Sequence, residues 1–124
     1  MVRISQVEFE WLVVKTLDEL PSFIQQRMEN VDVVVADWPS GIDLEHNGLS
    51  GPGKLLGLYQ GVPITDRSHY DMVLPDKITI FRRPIEAACD TKAALVREVR
   101  TTLIHELAHH FGITEAELDQ TDYR

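Results

Sequence analysis

Val7, Phe9, Trp11, Leu12, Val14, Leu17 and Leu20 recur at mixed three- and four-residue spacing, the period of an amphipathic helix, and Ser5 with Glu8 supplies a capping box at its start. The pattern predicts a helix over residues 5–19. Pro21 cannot continue it but suits the first turn of another, so a short second helix is expected over residues 22–28. Residues 31–38 are a β-branched run interrupted at Asp32, short enough for a buried strand. Between Trp38 and Lys54 lie Pro39, Gly41, Gly48, Gly51, Pro52 and Gly53, turn chemistry without a period, which predicts a long surface loop. Further strands are expected over residues 55–59, closed by Gly61 and Pro63, and over residues 77–82, where Lys77, Thr79 and Phe81 alternate with Ile78, Ile80 and Arg82. Residues 91–111 contain neither Pro nor Gly, follow Asp90 as an N-cap and precede Gly112, which tolerates the positive φ of a helix end. They form the longest expected helix. Thr114 and Glu117 make a second capping box, predicting a last short helix over residues 114–120.

Composition bounds what these elements can do. A chain of 124 residues, 44% hydrophobic, supports one core and one domain, so any site must share that core. Twelve Lys and Arg against twenty Asp and Glu leave a net charge of -8, which argues against nucleic acid and anionic membranes, both of which draw on clustered basic side chains. The apolar runs are too short for a bilayer span or a signal segment, so the chain is expected to begin at its mature end. Cys89 is the only cysteine: it can form no intrachain disulfide and no thiolate zinc finger, and it reads as a small buried hydrophobe. A cytoplasmic domain is expected. The oligomeric state is left open.

The chemistry concentrates in residues 105–115, His-Glu-Leu-Ala-His-His-Phe-Gly-Ile-Thr-Glu. On a helix, His105 and His109 stand four apart and point nearly the same way, which suits one Zn²⁺. Glu106 projects beside the metal position, where a carboxylate can take a proton from water. With five His and ten Glu in the chain, a shuffled sequence would contain H-E-x-x-H with a probability of roughly 1–2%, and the Gly and acid that follow make chance rarer still. Val96, Val99, Leu103, Ile104, Leu107 and Phe111 fill about half the helix circumference and leave the two histidines on another face. Gly112 permits a reversal that brings Glu115 back toward them, with Asp119, one turn later on the same face, as the competing ligand or a partner for a histidine N–H. His110 falls toward the apolar side and is expected to be a buried core histidine. Tyr123 is a candidate to close the site or to donate a hydrogen bond there.

The H-E-x-x-H-H-F-G block, preceded by LLGLYQGVP over residues 55–63 and LPDKITIF over residues 74–81, resembles the bacterial zincin-like metallopeptidase family of minimal zincins over nearly the whole chain. The resemblance implies a single-domain α+β fold in which a small mixed sheet packs on an active-site helix. It implies His105 and His109 as zinc ligands, Glu106 as general base, and a third ligand at the Asp of H-E-x-x-H-x-x-G-x-x-D, a position that Glu115 occupies here. The implied activity is zinc-dependent hydrolysis of a peptide or protein substrate. Because Glu is one methylene longer than Asp, the departure at that position also opens a second class, a zinc-binding or interaction module that keeps the fold without hydrolysis.

Overall fold

The computed structural model describes residues 1–46, 55–61 and 75–111. Helix α1, Gln6–Glu19, starts where Ser5 Oγ accepts the Glu8 N–H at 3.1 Å. It buries Phe9, Leu12, Val13 and Thr16 and stops before Pro21, after which α2 covers Ser22–Arg27. Strand β1, Val31–Ala36, turns Val31, Val33 and Val35 toward the core. Asp32 and Val34 face outward, the period-2 alternation of a half-buried strand.

Two short helices appear where the sequence reading expected none. Helix α3, Gly41–His46, lies within the expected 38–54 loop. Its start is a reciprocal cap that glycine and proline counting passes over: Ser40 Oγ accepts from the Asp43 N–H at 3.0 Å and Asp43 Oδ2 accepts from the Ser40 N–H at 3.0 Å. Helix α4, Arg82–Ala88, follows strand β3 without a break, so Arg82 opens a helix rather than ending a strand. Pro84 fits its first turn, where an N–H has no intrahelical acceptor.

The sheet has the order β1-β3-β2, with β2 at Gly57–Gln60 and β3 at Asp76–Phe81. β1 runs parallel to β3, from Val31 opposite Asp76 to Ala36 opposite Phe81. β2 runs antiparallel to β3, with Gly57 opposite Ile80 and Gln60 opposite Lys77. Ile78 and Ile80 of the central strand are wholly buried, and the neighbouring Thr79 and Phe81 are buried too, so β3 is covered on both faces. The long helix α5, Lys92–Phe111, begins one residue later than expected, with Thr91 Oγ1 accepting the Ala94 N–H at 3.0 Å. Its Leu95, Val99, Leu103 and Leu107 are fully buried at four-residue spacing, and the helix is the element on which β2, β3, α1 and α4 all pack.

The N-terminal segment is tied to α4 by buried polar groups. Glu86, 1% exposed, accepts the Ile4 N–H at 2.7 Å and an Arg83 N–H at 2.9 Å. Arg82 donates to the Ile4 carbonyl at 2.9 Å and to Asp37 Oδ1 at 2.9 Å. That contact holds the Asp37 carboxyl below its ordinary range, chiefly by the hydrogen bond from Arg82. Cys89 is buried, as expected, and burial pushes its thiol up. Among the described residues no helix is long and apolar enough to cross a membrane.

Candidate metal centre and its groove

Because Leu95, Val99, Leu103 and Leu107 occupy the inner side of α5, the residues about half a turn away are presented outward. His105 and His109 are exposed there and Glu106 is half-buried between them and the core. Strand β2 lies against this part of the helix because Gly57 has no side chain: a Cβ at that position would stand 2.6 Å from Thr102 Cγ2. That distance is far inside van der Waals contact. The close approach makes a groove with α5 on one side and β2 on the other.

A pocket of about 420 Å³ opens in this groove, lined among the described residues by Leu58, Tyr59, His105, Glu106, His109 and His110. The three side chains of the H-E-x-x-H motif thus reach one space. Burial raises the Glu106 carboxyl above its ordinary range, and the charges of His109 and His105 partly oppose that shift. Its Oε2 lies 3.8 Å from His110 Nε2. A second pocket, about 290 Å³, shares His105 and Glu106 and extends along the groove past Leu55, Leu56, Glu98 and Thr102.

His110 corrects the expectation of a buried core histidine. Its side chain is 37% exposed and stands in the pocket wall, stacked on Tyr59 with ring centroids 4.1 Å apart and planes at 15°. It shares a helix face with Leu103 and Leu107, seven and three residues earlier, but in the last turn of α5 that face meets Tyr59 of β2 at the edge of the core. Tyr59 holds this wall: its hydroxyl donates to Asp76 Oδ2 at 2.6 Å, and Phe111 meets its ring edge-on at 5.8 Å. Sequence reasoning assigned Tyr59 only to a strand. The usable signal was its parity with Gly57, since residues two apart on a strand share a face, and a buried tyrosine seeks a partner for its hydroxyl.

Glu115, Asp119 and Tyr123 lie outside the described residues. Among those described, no three His, Cys, Asp or Glu side chains are arranged to hold a metal ion. The donors that are described, two imidazoles four apart on one helix face, nonetheless fit the nitrogen and oxygen chemistry of zinc, which takes a further ligand from a separate segment in most catalytic centres.

The structure is a small α+β domain with a three-stranded mixed sheet and a groove between β2 and α5. The sequence profile of zincin-like metallopeptidases matches residues 28–124, and the chain belongs to that family. No curated protein matches the chain. Helices α1 and α2 precede the matched span.

Proposed function

We propose that the chain is a zinc-dependent peptidase in which His105 and His109 hold the metal, Glu106 is the general base, and Glu115 completes the ligand set with Asp119 in reserve. The observation that carries this reading is the common pocket of His105, Glu106 and His109 beneath β2. Zn²⁺ bound there would supply Lewis-acid activation of water and of the scissile carbonyl. Glu106 takes the proton of the attacking water and delivers it to the departing amine.

The substrate is an extended peptide. β2 pairs with β3 on one side and, among the described residues, with no strand on the other, and that edge is where a peptide laid along the groove would add its backbone hydrogen bonds. Tyr59, fixed by Asp76, and His110 form a wall that limits where that peptide can lie. The net charge of -8 supports a protein or peptide partner over nucleic acid.

The test is zinc content and hydrolysis measured together. The purified chain should bind about one Zn²⁺ and cleave an unstructured protein substrate. His105→Ala and His109→Ala should lose the metal, and Glu106→Gln should keep the metal while losing at least about 100-fold in rate. Zinc bound without any cleavage would favour the non-hydrolytic module.

A further inference from the structure

The pocket that continues past the H-E-x-x-H residues has a chemistry of its own. On α5, Glu98, Thr102, His105 and His109 follow one another at four-, three- and four-residue steps, so they lie along one face of the helix. Glu98 is seven residues before His105, about 10 Å along the helix axis. Leu55 and Leu56 form the opposite wall, and the near approach of Gly57 to Thr102 closes the groove beneath. Glu98 is half-buried in this lining and has no hydrogen-bond or ion-pair partner among the described residues. It is the charged side chain that this pocket does not share with the H-E-x-x-H pocket.

We infer that this pocket selects a lysine or arginine side chain next to the bond that is cleaved, with Glu98 as the residue that determines the preference. The inference rests on the peptidase reading above and adds the substrate class to it. A long aliphatic stem lies along Leu55 and Leu56 while its cationic head reaches the Glu98 carboxylate, the division of labour these side chains adopt at the border of apolar and polar surface. A short neutral side chain leaves Glu98 unmatched, and an acidic one meets like charge at both Glu98 and Glu106. The overall charge of -8 draws cationic peptides toward the groove from a distance, and Glu98 converts that general attraction into a positional one.

The test uses the zinc-loaded full chain and matched peptide pools that carry Lys, Arg, Gln or Glu at the positions flanking a common cleavage site, with products read by mass spectrometry at about 0.15 M salt, where long-range attraction is screened. Lys and Arg pools should be cleaved at least about tenfold faster than the Gln pool. Glu98→Gln should bring the ratio to within about twofold, and Glu98→Lys should turn the preference toward Glu. In parallel, binding of the same peptides to Glu106→Gln is followed by fluorescence anisotropy. If the wild-type chain cleaves nothing while Glu106→Gln binds basic peptides in a Glu98-dependent way, the peptidase reading falls and the pocket stands. Equal handling of Lys and Gln peptides, a basic preference that survives Glu98→Gln, or failure to bind basic peptides in either form overturns the inference.

Discussion

At the scale of single residues, the proposed centre separates holding a metal from moving a proton. Two imidazoles on one face of α5 are donors, and the carboxylate beside them is set deeper, 26% exposed, with its oxygen nearer His110 than a purely solvated glutamate would need to be. Metal binding requires the neutral imidazole, so zinc affinity should fall as the solution is acidified through the histidine range, and a titration giving constant affinity between about pH 5 and 8 would contradict histidine ligation. Tyr59 makes a sharper test of the pocket wall. Tyr59→Phe removes the bond to Asp76 but keeps the stack on His110, so it should cost about 1.5–3 kcal/mol in urea unfolding and leave zinc affinity near its starting value. Tyr59→Ala removes both and should cost about 3–5 kcal/mol.

At the scale of elements, β2 is where local chemistry becomes geometry. Gly57 is needed because the strand passes so close to Thr102, whose β-branched side chain has little rotational freedom on a helix. Gly57→Ala should destabilise the chain by about 1–3 kcal/mol through overpacking, and Thr102→Ser, which deletes the offending methyl, should recover most of that loss in the double variant. A chemical-denaturation cycle over the four proteins measures it.

The same scale shows what the sequence made legible. α1, the three strands and the long helix follow from periodicity and caps that are local in the chain, and so does the outward placement of His105 and His109 opposite the leucine stripe. α3 and α4 were missed because six- and seven-residue helices carry too few apolar positions to show a period; α3 is declared only by its Ser40–Asp43 cap. His110 was misplaced because a helical wheel knows the helix but not β2, and it is the stack on Tyr59, a contact across 51 positions of sequence, that decides where the ring goes. Glu98 and the groove were invisible for the same reason.

The buried network around Arg82 belongs to this scale as well, since it ties the N-terminal segment to α4 and to the end of β1. Asp37 has a folded-state pKa below its unfolded value, held there first by the Arg82 hydrogen bond. A depressed carboxyl stabilises the fold above the unfolded pKa, about 3.9 for Asp, and that contribution disappears as pH falls through the lower folded value. The stability of the wild-type chain should therefore decline below about pH 4 more steeply than that of Asp37→Asn, which lacks the titrating group. Parallel acid-unfolding curves for the two would show no such difference if the bond were absent in solution.

At the scale of the whole molecule, the proposed metal site couples zinc to the fold. α5 supplies the core to β2, β3, α1 and α4 and on the proposed reading also supplies two ligands, so zinc added to the native chain stabilises everything that packs on that helix. At a free zinc concentration 100 times the dissociation constant the gain is about 2.7 kcal/mol, and for a domain of this size that corresponds to a rise in Tm of roughly 6–16 °C, reversed by a chelator. The coupling also ranks the candidate third ligands without a measurement of activity. If Glu115 ligates, Glu115→Ala removes a donor and should shrink the zinc-dependent rise in Tm substantially, because a 10- to 100-fold weaker site gains about 1.3–2.3 kcal/mol less at the same free zinc. Glu115→Asp restores the residue type that the family pattern carries and should keep or enlarge the rise, while Asp119→Asn should change it less than Glu115→Ala. The reverse order, with Asp119→Asn abolishing the rise and Glu115→Ala sparing it, moves the ligand one turn along the chain. A rise that survives both substitutions but is lost in His105→Ala and His109→Ala means that the two histidines draw their further ligands from elsewhere, and the reading of Glu115 is then wrong.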